Sequence, residues 1–117
     1  MALSALVISL SAFGVLVTGA LAFLRDPVAA MGFSAHRAER LPQVMGDRYA
    51  SLCILALGAT LYGDLTVIAV FYGCFAFIGF ADSVIYKRAG HPIAKHMAAG
   101  ILALLVAIMA LMAPYAG

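Results

Sequence analysis

Charged residues are scarce in this chain of 117 residues. Only 10% of the residues are Asp, Glu, Lys or Arg, whereas 66% are hydrophobic. An ordinary soluble domain is about 45–50% apolar and about 25% charged, and a chain this short cannot bury such an apolar excess in one core. The composition therefore excludes a soluble monomer. The net charge of +2 is small and the sequence has no run of like charges, so no nucleic-acid partner is expected.

Residues that commonly carry chemistry are also few. Tryptophan is absent, and the two cysteines, Cys53 and Cys74, lie inside apolar segments where a thiol behaves as a small hydrophobe. The three histidines are scattered and are not accompanied by paired cysteines, so no metal, haem or other cofactor is predicted. The sequence also contains no glycine-rich phosphate loop and no nucleophile elbow.

Long apolar segments dominate what remains. A membrane span needs about 20 apolar residues, and the chain offers four such segments joined by short polar connections. Short connections favour antiparallel neighbours. We therefore predict an all-α fold, an integral membrane four-helix up-down-up-down bundle formed by a single domain over residues 1–117. The predicted helices cover about 2–24, 43–62, 65–86 and 92–113, with cytoplasmic loops at 25–42 and 87–91.

All basic residues fall at one end of this bundle. The opposite end has no Lys or Arg, and its connection carries only Asp64. The positive-inside rule assigns the basic end to the cytoplasm and both termini to the other side, as in a bacterial inner membrane. The basic residues are Arg25, Arg37, Arg40, Arg48, Lys87, Arg88 and Lys95.

Small residues follow one face of the last predicted helix. In lipid, helices associate where small side chains let their backbones approach closely. This face is therefore expected to pack inside the bundle, against small-residue faces of the first two helices. Its members are His96, Ala99, Gly100, Ala103, Ala107 and Ala110.

Four polar residues are not explained by packing. Asp47, Arg48, Asp82 and His96 lie at similar depth below the cytoplasmic surface, where an unpaired charge is costly. Arg48 is expected to form a salt bridge with Asp82 or Asp47, and His96 to complete the network. The cluster is either a polar clamp between helices or a site for acid/base catalysis, with arginine stabilising an oxyanion.

Aromatic residues are the candidates for binding a substrate. Tyr49, Tyr72, Phe75 and Tyr86 are predicted to line an apolar pocket for a lipophilic small molecule. An isomerase- or hydrolase-type reaction would suit such a pocket. Two alternatives stay open: a homo-oligomeric small transporter or channel, and a structural or assembly subunit of a membrane complex. Membrane lipid is a partner in every case.

The pattern resembles the small four-helix membrane proteins of bacteria and fungi grouped as domain of unknown function family 4267. The resemblance begins with Arg25 and Pro27 after the first helix and the sequence Gly46-Asp47-Arg48 in the second. It continues with Gly79 and Asp82 late in the third helix and His96 early in the fourth. It covers most of the chain and implies a membrane bundle with a polar cluster, but no established chemistry. Tyr49 follows Arg48 here, where the family has an acidic residue.

The distribution of basic residues generates a first prediction. Both ends of the chain should lie on the non-cytoplasmic side, because all seven Lys and Arg residues lie near the opposite face. Alkaline phosphatase fused to either end should therefore be active, and a fluorescent protein fused there should not fluoresce. Alkaline phosphatase and a fluorescent protein give opposite readouts for this measurement. A cytoplasmic carboxyl terminus would contradict the predicted topology.

Overall fold

The computed structural model describes residues 2–113, which are all-α and contain no strand. Four helices of this range are long and apolar enough to cross a membrane, namely α1, α3, α4 and α5. The predicted class, an all-α membrane protein built from four spanning helices, is therefore confirmed. The α-helices are α1 (Leu3–Arg25), α2 (Pro27–Phe33), α3 (Leu41–Tyr62), α4 (Leu65–Arg88) and α5 (Ala94–Met112).

The described residues form two compact units, one up to Asp47 and one from Arg48 onward, with the boundary inside α3. In the first unit, α1 ends at Arg25 because an Asp-Pro pair follows it. The Asp26 carboxylate accepts a hydrogen bond from the Ala29 backbone N–H at 3.1 Å and so caps α2, which begins at Pro27. Proline suits this first position because its missing N–H has no helical partner there. The predicted connection thus contains a short helix and, further on, a 3₁₀ turn at Ala38–Arg40.

In the second unit, α3 and α4 are joined by a tight turn at Gly63 and Asp64. Gly63 has a positive φ of 79°, which glycine adopts without steric cost. The Asp64 carboxylate then caps α4 by accepting hydrogen bonds from the backbone N–H groups of Thr66 (2.8 Å) and Val67 (3.1 Å). These two residues therefore end one helix and start the next.

The connection between α4 and α5 lies two residues further along the chain than the sequence predicts. Helix α4 continues to Arg88, and Gly90 then turns with φ of 79°. The backbone N–H of Gly90 donates to the carbonyl of Lys87, and that of His91 donates to the carbonyl of Tyr86. This pair of bonds is a Schellman motif, which commits the backbone of His91 to the end of α4. The last helix consequently begins at Ala94 and not at residue 92. Pro114, expected to end it, lies outside the described residues.

Small buried residues bring α4 and α5 into close contact. The predicted inward face of the last helix is buried at Gly100, Ala103, Ala107 and Ala110, although Ala99 stays exposed. Its partner is a face of α4 that the sequence analysis did not identify. The repeat there is close to seven residues, which is typical of helices that pack along one seam. The buried residues of α4 are Ala69, Ala76, Gly79 and Ser83.

The closest approach lies at Gly79 and Gly100. A Cβ atom on Gly79 would lie 2.6 Å from the backbone nitrogen of Gly100 and 3.0 Å from the carbonyl oxygen of His96. No side chain fits at such distances. One turn further, the buried Ser83 hydroxyl donates to the Gly79 carbonyl oxygen at 2.8 Å, so this seam contains no unsatisfied serine.

This contact predicts the effect of one added methyl group. Gly79→Ala should lower the stability of the protein by about 1–3 kcal/mol, because the helices must separate to accept it. Gly73→Ala is the matched control on the same helix, since a Cβ atom there meets nothing within 4 Å. Thermal unfolding in detergent measures both variants. Equal unfolding temperatures would mean that the Gly79–Gly100 contact does not hold the two helices together.

Candidate functional site

Asp82 and His96 face each other across the α4–α5 seam. The imidazole Nδ1 lies 3.8 Å from the carboxylate Oδ2, which is ion-pair distance when the histidine is protonated. Asp82 lies three residues after Gly79, and His96 lies four residues before Gly100. The close approach of the two glycines therefore positions the pair one helical turn away. Both side chains are about one-third exposed, at 34% for His96 and 32% for Asp82.

The Tyr86 ring fixes the orientation of the imidazole. It stacks on His96 with centroids 4.9 Å apart and an angle of 18° between the planes. The ring of His91 contacts the same tyrosine edge-on at 6.1 Å. Tyr86 was predicted to bind the substrate, but it is not among the described residues that line the nearby cavity. Its position is that of a support for His96.

A cavity of about 260 Å³ lies beside the pair. Three of the four aromatic residues predicted to line a pocket do line it: Tyr49, Tyr72 and Phe75. The rings of Tyr72 and Phe75 meet edge to face at 5.2 Å. Asp82 supplies its carboxylate and His96 its imidazole, and its walls are otherwise largely apolar and aromatic. The lining comprises Tyr49, Leu52, Cys53 and Ala56 of α3, Tyr72, Phe75, Ile78, Gly79 and Asp82 of α4, and His96 and Ala99 of α5.

Helix α3 contributes more to the cavity than the predicted Tyr49. Tyr49, Leu52, Cys53 and Ala56 follow one another at spacings of three, one and three residues, which places them on a single helix face. That periodicity was available in the sequence. It was hidden because residues 52–57 are all apolar, so no polar residue marks the opposite side of the helix there.

Asp47 and Arg48, the other two predicted site residues, are not among the described residues that line the cavity. Asp47 belongs to the first unit, and its place in the site stays a prediction. Arg48 precedes Tyr49 but is not one of the described residues that line the cavity. The structure gives Asp82 the imidazole of His96 as its ionic partner. A salt bridge from Arg48 to Asp82 or Asp47 therefore also stays a prediction.

The remaining histidine belongs to the connection after α1. The Nδ1 atom of His36 lies 2.8 Å from the Ser34 hydroxyl oxygen, and its ring meets Phe23 edge to face at 6.4 Å. Within residues 2–113, His, Cys, Asp and Glu side chains form no group of three that could hold a metal ion.

Comparison of the sequence with family models and curated proteins, and of the structure with solved structures, finds no match.

The geometry predicts that Asp82 and His96 are energetically coupled. In a double-mutant cycle of Asp82→Asn and His96→Ala, the two changes together should destabilise the protein less than the sum of the single changes. The coupling should be about 0.5–1.5 kcal/mol, the size measured for polar contacts between membrane helices. Thermal unfolding of the four proteins in detergent gives this value. Strictly additive effects would show that the pair does not interact.

Proposed function

We propose that this integral membrane protein binds a lipophilic small molecule in the cavity beside Asp82 and His96 and transforms it by acid/base chemistry. The observation that carries the proposal is the pairing of a carboxylate and an imidazole on the wall of a cavity otherwise lined mainly by apolar and aromatic side chains. Ligand sites usually combine a predominantly apolar wall with a few convergent polar groups.

The position of the pair in a spanning segment supports a functional role. Ionisable side chains at membrane depth are rare because their burial is costly, and they usually pair or face a cavity. Asp82 and His96 do both. A clamp between α4 and α5 would need no adjoining space, since Gly79 and Gly100 already hold these helices together.

The contact between Asp82 and His96 leaves one imidazole nitrogen for acid/base chemistry. The carboxylate of Asp82 faces Nδ1, so Nε2 is the imidazole atom left for a ligand. Through Nε2 the imidazole can remove a proton from a bound molecule or a water and return it at another position. Isomerisation and hydrolysis both need such a transfer. Arg48 would stabilise a developing oxyanion if it reaches the ligand.

The proposed orientation places this site near the cytoplasmic surface of a bacterial inner membrane. Lys87, Arg88 and Lys95 lie close to it in sequence, at the end of α4 and the start of α5. The resemblance to domain of unknown function family 4267 is part of the same proposal, because Gly79, Asp82 and His96 are among the residues that carry it. The resemblance implies a polar cluster in the membrane bundle, but it implies no particular reaction.

Two other functions are the alternatives. A homo-oligomeric transporter or channel would explain a polar site in a small protein, but the predicted outer half of the chain offers few charged groups for a transport path. A structural subunit would use small-residue faces to bind other helices. The small residues buried between α4 and α5 are already used within this chain.

The variant His96→Ala tests the proposal. Octanol carrying a photoactivatable diazirine is the probe, and its crosslinks to Tyr72 and Cys53 are measured by mass spectrometry. The variant should lose these crosslinks yet remain folded, because alanine extends the small-residue face of α5 without a clash. Lys95→Ala is the matched control, since this neighbour is exposed and is not among the described cavity residues.

The clamp interpretation predicts the opposite result for the same variant. Removal of one polar partner would then destabilise the protein by about 1–3 kcal/mol. Octanol crosslinking would be unchanged. A less stable His96→Ala protein with full labelling at Tyr72 and Cys53 would therefore overturn the proposed function.

A further inference from the structure

A second cavity, of about 460 Å³, lies between the other ends of α3 and α4. It has no ionisable group except the Tyr62 phenol, and its remaining lining is aliphatic or aromatic. Gly58 leaves room in its wall, since a Cβ atom there would meet nothing within 4 Å. The lining consists of Ile54, Leu55, Gly58, Ala59 and Tyr62 of α3 and Val67 and Phe71 of α4.

The register of the two helices aligns this cavity with the one beside Asp82. On α4, Phe71 lines the second cavity, and Phe75, Ile78 and Asp82 line the first, at spacings of four, three and four residues. Such spacing follows one helix face. On α3, Leu52 and Ala59 differ by seven residues and line one cavity each. The cavities therefore succeed one another along the same two helix faces.

The two ends of this path differ in chemistry. The Asp82 and His96 end offers hydrogen-bond acceptors, namely the Asp82 carboxylate and Nε2 of His96, whereas the Phe71 end offers apolar contact. Because an α-helix rises about 1.5 Å per residue, Phe71 lies about 17 Å along α4 from Asp82. An occupant that satisfies both ends has one polar head and one long apolar chain.

We propose that the two cavities form one groove for an unbranched long-chain alcohol, a proposal that rests on the proposed function of the Asp82–His96 site. A hydroxyl head donates a hydrogen bond to Nε2 of His96, the atom that the contact between Asp82 and Nδ1 leaves for a ligand. A fatty acid carboxylate is disfavoured because it would meet the carboxylate of Asp82. The chain then runs past Phe75 and Ile78 to the space beside Gly58 and Phe71.

The test compares two alcohols that differ only in length, octanol and hexadecanol, each with a diazirine at the end of its chain. A hexadecanol chain bound at Asp82 is long enough to enter the second cavity, which Phe71 lines, whereas an octanol chain ends in the first, which Tyr72 lines. In the natural protein, we expect octanol to label Tyr72 and Cys53, and hexadecanol to label Phe71 and Ile54. Labelling by both should be lost in Asp82→Asn.

A substitution that fills the second cavity should change labelling by hexadecanol but not labelling by octanol. Gly58→Leu should abolish labelling by hexadecanol at Phe71 and Ile54 but leave octanol labelling unchanged. Leu55→Trp is a second filling variant for the case that Gly58→Leu does not fold. Gly46→Leu is the matched control, because Gly46 lies on the same helix with nothing within 4 Å of an added Cβ atom and is not among the described residues of either cavity.

The possible failures are distinguishable. In one outcome, octanol labels Tyr72 and Cys53 in an Asp82-dependent manner but hexadecanol labels no residue in that manner. This outcome would overturn the groove and leave the proposed function standing. Hexadecanol labelling that survives both filling variants would also overturn the groove. If neither alcohol labels in an Asp82-dependent manner, the proposed function fails and the groove fails with it.

Discussion

The contact between Gly79 and Gly100 is the constraint on which the described site depends. The backbones of α4 and α5 approach so closely there that a single methyl group does not fit. Lipid is as apolar as the helix surfaces, so helices gain little by hiding apolar side chains from it and associate through close packing instead. Fixing the helices at this point fixes the residues one turn away. Asp82 and His96 owe their separation of 3.8 Å to it.

The site combines a rigid support with open space. Tyr86 stacks on one face of the imidazole, and the buried Ser83 satisfies its hydroxyl on the carbonyl of Gly79. Helix α3, by contrast, contributes mainly exposed side chains, among them Tyr49 at 54% exposure. A polar pair held firmly on two packed helices, beside a cavity bounded by a third, is suited to bind a ligand from the bilayer. This arrangement is the support for the proposed binding or catalytic role of the pair.

Prediction from sequence succeeded where local chemistry decides the structure. The Gly63-Asp64 turn was recognisable because glycine permits a positive φ and aspartate caps the following helix. Prediction was less accurate where hydrogen bonds reach back along the chain. The last helix was predicted to begin at Pro92, but the bond from the His91 N–H to the Tyr86 carbonyl holds the preceding backbone at the end of α4. Tyr86 was assigned to the pocket because it is aromatic and at the right depth, whereas it packs on His96.

The sequence by itself determined that the chain is an all-α membrane protein with four spanning helices, because composition and segment length leave no soluble alternative. It also determined which residues of α5 share a small face and which polar residues are costly in lipid. Only the tertiary structure decided which faces meet, that Asp82 pairs with His96, and that Cys53 and Tyr49 face the same cavity. Helical periodicity assigns residues to faces, but it does not choose the neighbour of each face. That choice depends on shape at close range, here on two glycines that are 21 residues apart in the sequence.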